Sequence, residues 1–228
     1  MSFDLICSNC GATSGPSVGV CPFCKNILTA AGEKESTTLK SFRKAFQDGR
    51  LDAALAVGKD LEKAKPQLRK DQAFALLYAQ VLIEAEAPSS QVKALLMEAL
   101  MEGEHPVLQE YLEVIEAKGM LTHEKEDAGE VVLKGILRRS PQNAHANFLL
   151  GSHMFWVEKE ASKAAKYLEA AVRERPTFLR AVACLGALYQ TLGNGALAER
   201  SFRKCRDLES NPVLKKYFTD LMAKAAKK

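Results

Sequence analysis

Five prolines punctuate the chain at Pro66, Pro106, Pro141, Pro176 and Pro212, at intervals of 40, 35, 35 and 36 residues. Proline lacks an amide donor and has a fixed φ, so it sits at helix boundaries and breaks helix interiors. An interval of about 35 residues leaves room for two short helices and their connections, and for little else. The segments between the prolines are rich in Ala and Leu, carry few β-branched runs, and place apolar residues at i, i+3, i+4 and i+7. That is the period of an amphipathic helix. A single hairpin of such helices cannot bury its apolar stripe alone, so neighbours must stack. The fold class predicted is all-α: an α-solenoid of about five helical hairpins over residues 36–212, then a capping helix from Asn211-Pro212 to about Ala226.

The clearest unit reads Leu185-Gly186, Tyr189, Gly193, Ala198, Phe202 and Cys205, closed by Pro212. The preceding unit has Leu150-Gly151, Ala164, Leu168, Ala171 and Pro176, and the first has Gly49, Ala54, Leu61 and Pro66. A small residue where two helices cross lets their backbones approach, and large residues fill the gap to the next hairpin. These units resemble the tetratricopeptide repeat (TPR), a helix–turn–helix with Leu-Gly, Tyr, Ala, Phe, Ala and Pro at fixed offsets. The second and third units lack the Leu-Gly step, and Pro88-Ser89-Ser90 and the Gly119-to-Lys125 stretch are expected to lengthen their turns. Ser36 or Thr37 is the expected first N-cap.

The N-terminus is of another kind. Cys7-Ser8-Asn9-Cys10 and Cys21-Pro22-Phe23-Cys24 are two C-x2-C pairs ten residues apart. Two such turns facing one another offer four soft thiolates in a tetrahedron, a geometry suited to Zn²⁺. They resemble the rubredoxin-type knuckles of the zinc ribbon, with Gly11 after the first pair and Lys25 where a glycine is common in the second. Four protein ligands close the site, so the metal is expected to be structural, one Zn²⁺ per chain bound by Cys7, Cys10, Cys21 and Cys24. A segment this short buries too little surface to fold without metal. Rubredoxin-like iron and a thiol switch that releases zinc are the alternatives. Nothing else in the chain reads as a zinc site, and Cys184 and Cys205, without C-x2-C partners, read as buried core residues.

Composition shifts near residue 30, giving a ribbon over 1–30, a polar linker over 31–35 and the helical repeats over 36–228. The first residues, Met1-Ser2-Phe3-Asp4-Leu5-Ile6, carry neither the basic nor the apolar stretch of a signal peptide, and no apolar run is long enough for a membrane span. A cytoplasmic protein is expected, in a reducing compartment where paired cysteines bind metal.

Catalysis finds no support in the pattern. The histidines His105, His123, His145 and His153 are scattered, and no metalloprotease, triad or phosphate-loop signature occurs. The TPR resemblance implies a concave groove lined by the first helix of each hairpin. Its offsets fall on His145, Phe148, Ser152, Phe155 and Trp156 in the fourth unit, and on Arg180, Ala183, Ala187 and Gln190 in the fifth. Aromatics beside an Arg are apt anchors for a peptide, although core packing of Phe148, Phe155 and Trp156 is the competing reading. The family's carboxylate clamp is not matched, because Phe148 and Ala183 stand where its basic groups would be.

Net charge is only +4, but it is uneven: eight acidic residues lie between Glu104 and Glu130, and nine basic residues from Arg200 to Lys228. The function expected is a non-enzymatic adaptor that holds a peptide or protein segment in the groove. The alternatives are a nucleic-acid-associated factor using the ribbon and the basic end, and a zinc-thiolate redox sensor. The basic end lacks the interleaved aromatics that stack bases, which disfavours nucleic acid. Neither a membrane nor a small-molecule substrate is expected as a partner.

Overall fold

A computed structural model of the chain describes residues 5–6, 13–14, 37–122 and 126–226. The four N-terminal cysteines and the polar linker lie outside the described residues. Two short strands are described before the helices: β1 (Leu5–Ile6) pairs antiparallel with β2 (Thr13–Ser14), Leu5 opposite Ser14 and Ile6 opposite Thr13.

Eleven helices follow among the described residues. They are α1 (Thr37–Gln47), α2 (Leu51–Ala64), α3 (Gln72–Glu84), α4 (Ser89–Leu100), α5 (Pro106–Thr122) and α6 (Glu126–Arg139), then α7 (Ala144–Trp156), α8 (Ala161–Glu174), α9 (Leu179–Thr191), α10 (Gly195–Leu208) and α11 (Pro212–Ala225). A 3₁₀ turn, Pro66–Lys70, lies between α2 and α3. Recurrent caps define the starts: the side chains of Asp71, Asn143, Asn194 and Asn211 accept hydrogen bonds from the amides of Phe74, Ala146, Leu197 and Val213. Each satisfies a donor that a helix start leaves open.

The periodic prolines mark the connections between hairpins, as expected, but two of them do more than end a helix. Pro106 and Pro212 open α5 and α11, where a missing amide costs nothing. The lengthened turns predicted for the second and third units do not form. The α3–α4 connection is four residues, like that between α7 and α8, and α5 runs on through Gly119 to Thr122. A Cβ at Gly119 would meet nothing within 4 Å. A lone glycine near a helix end costs only about 1 kcal/mol, too little to stop α5.

The chain divides into two compact units, one comprising residues up to Lys44 and Ala53–Leu112, the other Ala45–Asp52 and Glu113 onward. In the first, Phe42, Phe74 and Tyr78 form an aromatic cluster with ring centroids 5.3–6.0 Å apart. Gly58 admits it: a Cβ there would lie 2.6 Å from the Tyr78 ring. The Tyr78 hydroxyl donates to Glu62 at 3.2 Å, and Arg69 bridges Glu62 and Glu98. Burial first, then the Glu62 carboxylate, raises the Tyr78 phenol above its usual range.

The second unit stacks α6 to α11 in chain order, each helix packing on the next. Its core runs through Leu133, Ile136, Leu150, Leu168, Phe178 and Leu188, and continues through Val182, Ala198, Phe202, Cys205 and Phe218. Two glycines set the hairpin spacing. A Cβ on Gly151 would stand 2.9 Å from Leu168 Cγ, and one on Gly186 would stand 2.7 Å from Phe202 Cε1. The Leu-Gly steps are thus close contacts between the paired helices. Within the same unit, Arg175 lies over the Phe46 ring at 3.6 Å and donates to the Phe46 carbonyl at 2.7 Å. Cys184 and Cys205 are buried, as the sequence predicts.

Candidate functional site

Helical periodicity brings one face of α7 and one of α9 together. Phe148, Ser152 and Trp156 recur every fourth residue along α7, and Arg180, Ala183, Ala187 and Gln190 every three to four along α9. With Cys184 and with Tyr217, Phe218 and Leu221 of α11, they line a cavity of about 510 Å³. The lining mixes small side chains (Ser152, Ala183, Ala187) with aromatic ones, and the small ones leave the space open.

Its walls are held in place from behind. The Phe148 ring packs 4.8 Å from that of Phe178, and the Arg180 guanidinium lies over the Phe148 ring at 5.1 Å as a cation–π contact. Trp156 is 54% exposed, and its ring sits 4.4 Å from that of Phe155. The indole is therefore braced on one side by Phe155 and presents surface outward. Tyr217, 56% exposed, stands on α11 at the same cavity. Burial pushes the Cys184 thiol up to about 11, so it lines the cavity as a neutral thiol and not as a thiolate.

Two of the nominated groove residues do not line this cavity. His145 is buried with its ring 5.1 Å from Phe178, and Phe155 is packed in the core beside Met154 and Leu185. Both fall on the same face of α7 as Phe148 by the helical count, and neighbouring packing covers them. Conversely, α11 reads from the sequence only as a cap. Its Tyr217-Phe218 pair is the signal that it also contributes a wall, with Phe218 turned into the core and Tyr217 out.

A second cluster lies on another face of α7. His153 is buried, and its Nε2 lies 3.7 Å from Glu158 and 3.8 Å from Glu126. The Glu130 carboxylate takes the Lys134 ammonium and lies with Glu158 and His153 so that their ligand atoms are within 4.8 Å of one another. The neighbouring Glu130 carboxylate and then burial push Glu158 up to about 7. No linear motif joins these residues. Glu126 and Glu130 share a face of α6 by their four-residue spacing, and Glu158 reaches His153 because its amide bonds the His153 carbonyl in the turn after α7. Among the described residues, Glu130, His153 and Glu158 are a set able to hold a metal ion.

No family model and no curated protein matches the chain. Solved structures do resemble it. A thermophilic TPR protein of Thermus thermophilus is 18% identical with a TM-score of 0.49, over 83% of this chain and all of that one. YrrB, described as a TPR protein with an unusual peptide-binding site, is 16% identical with a TM-score of 0.41, over 82% of this chain and 92% of its own. MamA is 18% identical with a TM-score of 0.38, over 75% of this chain and 90% of its own. The repeat character of this chain rests on its own helix pairs and on the glycine contacts at Gly151 and Gly186. No described helix is long and apolar enough to cross a membrane.

Proposed function

We propose that the protein is a non-enzymatic interaction scaffold that binds a peptide or protein segment in the α7–α9–α11 cavity, and that its N-terminal 30 residues form a zinc ribbon with one structural Zn²⁺ on Cys7, Cys10, Cys21 and Cys24. The observation that carries the binding reading is the Trp156 side chain, half exposed at the cavity while its ring is braced by Phe155. A rigid aromatic with little rotamer entropy left to lose is the favoured anchor of a binding surface. Arg180 and Tyr217 add a cation and a second aromatic within the same cavity. The ligand this fits is a short segment with an apolar or aromatic anchor flanked by a carboxylate.

Support for the ribbon comes from the sequence and from one pairing. The contact of β1 with β2 brackets Cys7 and Cys10 in the chain, and a strand pair on either side of a C-x2-C is what a knuckle requires. A ribbon and a cavity on one chain form two linked contact surfaces, which raises effective concentration at a shared partner.

Selection from a displayed random-peptide library tests the cavity, with Trp156 emission as the binding signal. Enriched peptides should lose at least tenfold in affinity on Arg180→Ala and on Tyr217→Ala. Peptides that bind both variants as they bind the parent would place the site elsewhere. For the ribbon, one thiolate-bound equivalent of metal per chain is expected, counted by the cobalt–thiolate charge-transfer band. Cys7→Ser with Cys10→Ser should abolish it, and its persistence would refute the assignment.

A further inference from the structure

We infer that Glu130, His153 and Glu158 form a second divalent-metal site, distinct in chemistry from the cysteine quartet, with Glu126 beside its histidine and Zn²⁺ as the preferred ion. The ligand atoms of the first three lie within 4.8 Å of one another. Two ligands on a tetrahedral zinc with bonds of about 2.0–2.2 Å stand roughly 3.4 Å apart. The His153 Nε2 to Glu158 separation of 3.7 Å and the Nε2 to Glu126 separation of 3.8 Å exceed that by only a few tenths of an ångström. Small side-chain rotations close the set on an ion.

Acidic residues gathered on a surface are common without a metal, and here the imidazole decides the matter. The His153 side chain is 6% exposed, and its Nε2 is aimed into the carboxylates at distances too long for a hydrogen bond. Among the described residues it has no nearer acceptor. An imidazole packed this deeply ordinarily holds a partner within hydrogen-bond reach. One left at ligand–ligand separation from two carboxylates is what a site built around a cation looks like.

The carboxylates point the same way by a separate route. Glu130 and Glu158 bring carboxylate oxygens within 4.8 Å of one another, and the repulsion of two anions at that range is relieved by a cation between them. Lys134 occupies one oxygen of Glu130, which leaves the other for an ion and orients the group from behind, as outer partners of metal ligands do. A nitrogen donor among oxygens favours a transition-series ion over Ca²⁺ or Mg²⁺, which prefer oxygen alone.

The fold also supplies the consequence of binding. Glu158 lies in the turn Val157–Glu160 that follows Trp156, and the amides of Glu158 and Glu160 bond the carbonyls of His153 and Met154. An ion joining α6 to this turn would fix the end of α7 that carries Trp156.

The chain has a single tryptophan, so Trp156 emission reports the site directly. The test uses the full-length chain with all four N-terminal cysteines changed to Ser, titrated with Zn²⁺ and with Mg²⁺ and read by equilibrium dialysis and emission. One equivalent of Zn²⁺ should bind at micromolar concentration with a change in emission, while Mg²⁺ at the same concentration gives neither. Glu158→Gln, in a surface turn, should weaken zinc at least tenfold with helix content unchanged. In the unmodified chain the site should register as zinc in excess of the thiolate-bound equivalent. No zinc uptake by the Ser variant, or uptake unaltered by both Glu158→Gln and Glu130→Gln, overturns the assignment.

Discussion

Replacing Gly186 by Ala should destabilise the second unit, against the ordinary preference of helices for alanine. The built Cβ would stand 2.7 Å from Phe202 Cε1, 3.0 Å from Cδ1 and 3.1 Å from Ser201 Cβ. Carbon atoms pack best at about 3.5–4.0 Å, so the overlap is roughly 0.5–1 Å at three atoms. Phe202 cannot swing away, because it is enclosed by Val182, Ala198, Cys205 and Phe218. Relief therefore requires α9 and α10 to part, and overpacking of this kind costs about 1–3 kcal/mol. The gain in helix propensity is about 1 kcal/mol in the other direction. The net loss expected is ~0–2 kcal/mol, a fall in melting temperature of up to about 8 °C. Gly135→Ala is the control: it lies inside α6, its Cβ would meet nothing within 4 Å, and it should raise stability by about 0.5–1 kcal/mol. Urea unfolding followed by Trp156 emission measures both in the same unit. If Gly186→Ala raises stability as much as Gly135→Ala does, the helix pair does not depend on close approach and the packing argument fails.

Other perturbations probe separate parts of the chain. Asn143→Ala leaves the Ala146 amide without its 2.9 Å cap in a buried position, and should cost about 1–2 kcal/mol in the same urea assay. Arg69→Ala strands Glu62 and Glu98 facing one another in the first unit; since all three groups are partly exposed, the loss should be modest, about 1 kcal/mol, and larger than the loss in an Arg69→Ala, Glu62→Gln, Glu98→Gln triple variant. Burial raises the Cys184 and Cys205 thiols from 9.0 to about 11 and about 12. A folded-state value above the unfolded one means that stability holds below pH 9 and drains as pH climbs toward those values. Alkaline unfolding between pH 9 and 11 should therefore be shallower in Cys184→Ala than in the parent, and an identical slope would show that Cys184 ionises freely in the folded chain.

What the sequence makes legible is whatever repeats. The five prolines, the Leu-Gly steps and the helical period locate the helix pairs, because each is a local cause: a missing amide, a missing Cβ, an apolar stripe. Where the local cause is weak, the sequence misleads. Gly119 looks like a turn signal, yet α5 runs through it, since one glycine does not outweigh the hydrogen bonds and packing of a 17-residue helix. Repeat offsets place Phe148, Ser152, Trp156, Arg180 and Gln190 on one surface, but they do not say which residues of that face neighbouring elements cover, and Phe155, on the same face as Phe148, is packed into the core.

The carboxylate–histidine cluster shows why the remainder is hidden. A C-x2-C pair announces itself because both ligands come from one turn. Glu130, His153 and Glu158 come from two helices and a turn, and meet only after α6 has packed on α7 and the chain has reversed after Trp156. Their separations along the chain therefore carry no signal until the tertiary structure supplies it. The same packing explains why the cluster and the cavity share α7 without sharing residues. Ser152 and His153 are adjacent in the chain, and a turn of about 100° sends one toward α9 and the other toward α6. The helix that presents Trp156 to a ligand is thereby the helix that a cation on another of its faces would hold still.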